Sequence, residues 1–221
     1  MATAFALIPA AEAAFISNLT DKQIQRAVDD HILQAPLVSR QNGRRFARLG
    51  SALANFYFSF ESTLTAQARR QVIQLITARL QKRSDWEAML DLRAPLVAVD
   101  WSVALPDVLV DLDHTVRAVQ DRIAKVAWAS RQITEDPDVM GGAPVFAGTR
   151  VPIETVLVAK RDAFHVREIR QHYPSVTAEQ IEAAEIYSQV HPRRGRPVSV
   201  GDGNPSWKLI RKKRVVPARA K

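Results

Sequence analysis

The 221-residue sequence predicts a mainly α-helical protein with small β elements, built from four successive parts. Three observations predict it. Apolar residues recur at helical spacing through most of the chain, as at Ile24, Val28 and Ile32. Strand signals are confined to short runs: an Asn42-Gly43 turn, "LVAVDWSVA" with "DVLVDL", and Val145-Phe146. The C-terminal end is rich in Gly, Pro and cations and cannot form a core by itself. The expected divisions are 1–60, 61–132, 133–191 and 192–221.

Composition narrows the function before any motif is read. The hydrophobic share of 47% is that of a folded chain. No cysteine is present, which excludes disulfides and thiolate zinc sites. No apolar run approaches the roughly 20 residues that cross a bilayer. The opening "MATAFALIPAAEAAF" lacks a basic start and is interrupted by Glu12, so it reads as a first structural element of a cytoplasmic protein. The net charge of +8 is concentrated: from His191 to Lys221 there are ten Lys or Arg against Asp202 alone.

The first part, 1–60, divides into two short helices around Asn18-Leu19-Thr20. Pro9 suits a helix start, where its missing N–H costs nothing. Thr20 followed by Gln23 is a capping-box pattern. With Ile24, Val28 and Ile32 buried, Lys22, Gln23, Gln25, Arg26 and Asp29 are left toward solvent. Amides and guanidinium groups on the first turns of a second helix suit reading base edges in a major groove. In "APLVSRQNGRRFARLG", Val38 and Phe46 flank the Asn42-Gly43 turn, and Arg40, Arg44, Arg45 and Arg48 cluster without an acid between Pro36 and Gly50. A hairpin so charged suits phosphate contacts. "SALANFYFSF" closes this core as a helix. The candidate DNA-binding residues are thus Thr20, Lys22, Gln23, Gln25, Arg26, Arg40, Asn42, Arg44, Arg45 and Arg48.

This run resembles the winged helix-turn-helix of the MerR-like regulators, through "EAAFISNLTDKQIQRAVDDHIL" for the helices and "GRRFARL" for the wing. It departs at His31, where those regulators usually place glycine.

The second part, 61–132, reads as a linker and dimerisation region. Ala68, Val72, Leu75, Ile76 and Leu80 form a helical stripe. "LVAVDWSVA" and "DVLVDL" read as strands, and a further helix from Asp113 carries Val116, Val119, Ile123 and Val126. Asp100, Asp107, Asp111, Asp113 and His114 share no metal-ligand spacing and read as solvated strand ends.

In the third part, 133–191, "DPDVMGGAPVFAGTRVP" has neither the spacing nor the lysine of a P-loop, and is no dinucleotide fingerprint. Gly141-Gly142 suits a tight turn, and Gly148 a positive φ that other residues adopt at a cost. Arg150 is expected at the entrance of the next helix. Helices follow at about 152–161, 165–172 and 177–190, with Thr177 and Gln180 as a capping box and Arg167, Arg170 and Gln171 exposed. The run "ITEDPDVMGGAPVFAGTRVPIETVLVAKRDAFHVREIRQHYPSVTAEQIEAAEIYSQVHPRRGRP" closely resembles a widespread prokaryotic domain of unknown function. The resemblance implies a trihelical, helix-turn-helix-like fold found in antitoxins, notably VapB-type antitoxins paired with PIN-domain ribonucleases. "KRDAFHVREI" departs from it, since members usually carry a small Gly-containing loop there.

The tail, 192–221, holds the apolar Trp207, Leu209, Ile210, Val215 and Val216 among the cations Lys208, Arg211, Lys212, Lys213 and Arg214, and Trp207 to Arg214 are the candidate toxin-binding residues. Such a segment suits an acidic, partly apolar groove. The resemblance implies that it wraps a PIN-domain ribonuclease toxin and neutralises its metal-holding carboxylates. A nonspecific nucleic-acid grip is the alternative for this tail.

The expectation is a non-enzymatic antitoxin without a cofactor, which inhibits its toxin and represses its own operon by binding operator DNA. It would assemble as a homodimer or a larger hetero-oligomer with the toxin. The alternative is a stand-alone transcriptional regulator. An enzyme fares poorly, with scattered His and no Gly-rich loop in register. Of the two helix-turn-helix-like units, the N-terminal one has the denser positive charge. The "TAEQIEAAEIY" helix carries Glu179, Glu182 and Glu185.

Overall fold

The computed structural model describes residues 6–41, 43–92, 99–162 and 164–192. Helix accounts for 56% and strand for 11%, so the mainly helical expectation holds, with small antiparallel sheets. The described residues form two compact units: 6–129 with Ile186–Pro192, and Ser130–Glu185.

In the first unit, β1 (Ile8–Pro9) leads into α1 (Ala10–Ser17), with Pro9 as N-cap. Asn18 ends that helix in the left-handed conformation (φ 54), a backbone state that asparagine tolerates better than most residues. α2 (Asp21–Asp29) starts with the expected capping box: the Gln23 amide donates to Thr20 Oγ1 at 3.3 Å, and the Thr20 amide donates to Gln23 Oε1 at 3.0 Å. His31 adopts φ 53, so it takes the left-handed position where glycine was expected, and the helix stops before it. Ile24, Val28 and Ile32 are buried as read.

β2 (Val38–Ser39) and β3 (Arg45–Phe46) form the hairpin with Val38 opposite Phe46. β1 pairs on the other side of β3, giving the order β1-β3-β2. α3 (Arg48–Ser59) follows, and Gly50 lets it approach the chain closely, since a Cβ there would sit 2.6 Å from the Leu37 carbonyl oxygen. Phe46, Leu49, Leu53 and Phe56 join Ile16 and Ile24 in a fully buried core.

α4 (Ala66–Leu80) buries a face turned from the one expected. Val72, Ile76 and Leu80 are inside, but Leu75 is 45% exposed and Arg69 is buried instead. The reason is polar: Arg69 Nη1 donates to the Tyr57 carbonyl, and its guanidinium lies 4.2 Å from the Tyr57 ring centroid. α5 (Trp86–Asp91) is a separate short helix. Of the first expected central strand, 96–98 lie outside the described residues, and pairing begins at Ser102. β4 (Ser102–Leu105) pairs antiparallel with β5 (Val108–Asp111), and Trp101 is buried just before them. α6 (Asp113–Arg131) buries Val116, Val119 and Val126, with Ile123 half-buried.

In the second unit, β6 (Ile133–Thr134) pairs antiparallel with β7 (Val145–Phe146). The glycine-rich stretch makes the turn between and after them. Gly141, Gly142 and Gly148 have φ of 65, 81 and 76, so the reading of these glycines as turn formers holds. α7 (Ile153–Arg161) and α8 (Val166–His172) fall where the first two of the three helices were expected, as does α9 (Ala178–Val190), which belongs to this unit as far as Glu185. Thr177 and Gln180 form their capping box, with the Gln180 amide donating to Thr177 Oγ1 at 3.2 Å and the Thr177 amide to Gln180 Oε1 at 3.1 Å. On α8, Ile169 is buried and Val166 half-buried.

Candidate nucleic-acid interface

The candidate site is the face where the β2–β3 hairpin meets α2. Lys22, Gln25, Arg26 and Asp29 stand at i, i+3, i+4 and i+7, which places them on one side of a helix. Arg44 crosses from the hairpin to that side: its guanidinium donates to Gln25 Oε1 and pairs with Asp29 Oδ1 at 2.7 Å. A second tie runs alongside. Arg40 Nη2 donates to the Val28 carbonyl at 2.7 Å, in the last turn of the helix, where the carbonyls form the negative end of its dipole. Both arginines therefore hold the hairpin onto the helix.

The expected DNA-contacting residues divide by what their side chains already do. Lys22 and Arg45 are exposed and have no polar side-chain partner among the described residues. Arg26 is exposed, with an i,i+4 pair to Asp30 at 3.4 Å and Phe58 5.6 Å away under its guanidinium. Thr20 and Gln23 are occupied with capping, the Thr20 hydroxyl also donating to Gln23 Oε1 at 2.9 Å. Gln25 holds Arg44. Asn42 lies outside the described residues. The structure does not gather Arg48 with the others. It opens α3, its side chain is 12% exposed, and it pairs with Glu12 at 3.1 Å and with Asp91. The tail residues Trp207, Lys208, Leu209, Ile210, Arg211, Lys212, Lys213 and Arg214 also lie outside the described residues.

The face is cationic but tempered. Asp29 and Asp30 balance Arg44 and Arg26, and these exposed pairs are individually weak, of the order of 0 to 1 kcal/mol. A polyanion can compete for both guanidinium groups at little cost. Asp30 and Phe58 were not read from the sequence as part of the site. The i,i+4 spacing of Arg26 and Asp30 was visible there, whereas Phe58 approaches only through the packing of α3.

The second unit presents its own charges. Arg150, Arg167 and Arg170 are exposed. On α9, Glu179 and Glu182 are exposed, and Glu185 pairs with Lys160 at 2.6 Å. The Glu179 carboxyl is held below its ordinary range, chiefly by its own backbone N–H and by the Thr177 side chain. A helix start so fixed in its anionic form is poorly suited to a phosphate.

Asp100, Asp111 and Asp113 are engaged locally. Asp100 is lowered in pKa mainly by hydrogen bonds from Ser102, and it pairs with Arg79 at 3.2 Å. Asp111 accepts from the Asp113 amide, and Asp113 pairs with Arg117. No metal-holding cluster occurs among the described residues, and no helix among them is long and apolar enough to cross a membrane.

Residues 133–188 match the family model described as "Protein of unknown function (DUF433)". The chain is also 33% identical over 198 residues to "Uncharacterized protein y4eO" of Sinorhizobium fredii (strain NBRC 101917 / NGR234), a likeness covering 89% of this chain and 86% of that protein. No solved structure matches the chain.

Proposed function

The chain belongs to the family of the Sinorhizobium fredii protein y4eO, and from there we propose that it is a DNA-binding antitoxin. In this reading the α2–hairpin face holds operator DNA in the manner of a winged helix-turn-helix. The basic tail inhibits a PIN-domain ribonuclease, and the protein has no enzymatic activity of its own. The observation that carries the DNA part is the clamped hairpin. Arg44 and Arg40 fix it against α2, so that Lys22, Arg26 and Arg45 project from a prearranged surface. The toxin part rests on the domain match at 133–188, on its resemblance to antitoxins, and on the tail charge.

The phosphate-contacting set is Lys22, Arg26 and Arg45, with Arg40 and Arg44 left to the clamp and Arg48 to its buried pairs. Base reading by Gln23 and Gln25 requires each to give up its present partner, so affinity rests mainly on phosphates and is strongly salt-dependent.

Two measurements on the full chain test the proposal. The first is binding to a duplex from upstream of its own gene, followed against salt. Absence of binding, or binding that Arg45→Gln and Lys22→Gln leave unchanged, refutes the assigned face. The second is co-expression with the adjacent open reading frame, with and without residues 192–221. Capture and silencing of a ribonuclease by the full chain alone supports the antitoxin. DNA binding with no capture by either form leaves the stand-alone regulator.

A further inference from the structure

We propose that a cleft in the first unit, away from the α2–hairpin face, binds a small organic carboxylate with an apolar body. The cleft has a volume of about 300 Å³ and runs between one side of α4 and the 31–37 segment that follows α2. That size suits a small molecule. Arg70, Gln74 and Thr77 line it from successive turns of α4 and Gln81 from its C-cap, so the wall extends for roughly 16 Å at 1.5 Å per residue.

Its chemistry selects the ligand. Among the described residues that line it, none is acidic, while Arg70 and His31 stand at one end. Arg70 uses Nη1 to donate to the Asp30 carbonyl at 2.9 Å. Its guanidinium also lies 5.7 Å from the Tyr57 ring centroid, and its other N–H groups have no hydrogen-bond partner among the described residues. A carboxylate can take them with the paired geometry that guanidinium favours. A single guanidinium beside one imidazole matches a monoanion better than a polyphosphate. Ile73, Leu37 and Ala78 supply an apolar floor for the body of the ligand.

One further observation points to the polar end of that ligand. The Thr77 hydroxyl is buried and has no hydrogen-bond partner among the described residues. A threonine in a helix ordinarily returns its hydroxyl to a preceding carbonyl, so an idle one is unusual. A turn of χ1 from one staggered position to another moves Oγ1, and it breaks no hydrogen bond among the described residues. Gln74 and Gln81 lie beside it with both donors and acceptors.

The probes are 4-hydroxybenzoate and octanoate, with 4-hydroxybenzamide and octanamide as uncharged counterparts. They are titrated into the full chain by calorimetry and by amide NMR. The expected result is binding of an acid in the millimolar range or tighter, its amide being about tenfold weaker, with shifts centred on residues 31–37 and 70–81. Arg70→Gln should erase the preference for acid over amide. Ala78→Leu lies at an exposed helical position and should fill the cleft while leaving the circular dichroism spectrum unchanged. The proposal is overturned if neither acid shifts these residues at about 10 mM. It is also overturned if binding survives Ala78→Leu, which would assign it to the basic tail, or if Arg70→Gln keeps the preference.

Discussion

Replacing Arg48 by Met separates two roles for one arginine. In the sequence it belongs to a run of cations suited to phosphate; in the structure it stands between Glu12 of α1 and Asp91 of α5, from the first turn of α3. The three side chains are only 12%, 14% and 11% exposed. Removing the guanidinium leaves two carboxylates facing a vacated site with little water to solvate them. Breaking a buried ion pair in this way costs about 3 to 5 kcal/mol, and the residual exposure places this case near 3. For a unit of this size that corresponds to a fall in Tm of about 10 °C. Heating followed by circular dichroism, with urea denaturation as a second measure, reads the loss. A control sharpens it: adding Glu12→Gln and Asp91→Asn to Arg48→Met should recover most of the stability, because no charge is then stranded. Well below the melting temperature, the salt dependence of DNA binding should match that of the unaltered chain. A Tm within about 2 °C of the original, together with weakened DNA binding, would refute the reasoning and return Arg48 to the surface set.

Arg45→Gln should do the reverse, leaving Tm unchanged and lowering the slope of log affinity against log salt by about 0.9, measured by fluorescence anisotropy. Two glycines should respond differently to alanine. Gly50→Ala drives a Cβ to 2.6 Å from the Leu37 carbonyl and should destabilise the first unit by more than about 1 kcal/mol in urea denaturation. Gly148→Ala meets nothing within 4 Å, so it should cost only the strain of a positive φ, about 1 kcal/mol, with no repacking of neighbouring methyl signals in NMR. Burial raises the Tyr173 hydroxyl above its ordinary value of 10.0, which means folding favours its neutral form. Its contribution is intact below that value and lost as pH climbs from it through the folded value; Tyr173→Phe should flatten this part of the stability–pH curve.

Helix starts were the most legible features, because the signals that make them are local. Thr20 with Gln23 and Thr177 with Gln180 each satisfy a helix end within four residues, and both appear where the pattern placed them. The turn glycines were legible for the same reason. Long-range features were not. Nothing in the spacing of Arg48 and Asp91, 43 residues apart, announces a pair. The rotation of α4 likewise depends on a carbonyl of Tyr57 that receives Arg69. An apolar count favours Leu75 inside, but it cannot weigh a guanidinium that finds both an acceptor and a ring. In the candidate site, the residue types were legible while their existing commitments were not. Gln25, Arg40 and Arg44 all have partners within the protein that no local pattern announces.

The paired ties of Arg40 and Arg44 also bear on how quickly this surface can be used. A loose hairpin must find its pose after meeting a partner, and the search spends both time and entropy. Here the five residues from Arg40 to Arg44 begin and end at a contact with α2, so the hairpin is already seated. Encounters with an anionic surface can therefore convert to bound complexes without an ordering step. Added salt should then act chiefly on the rate of arrival, by screening the attraction, rather than on the shape that arrives.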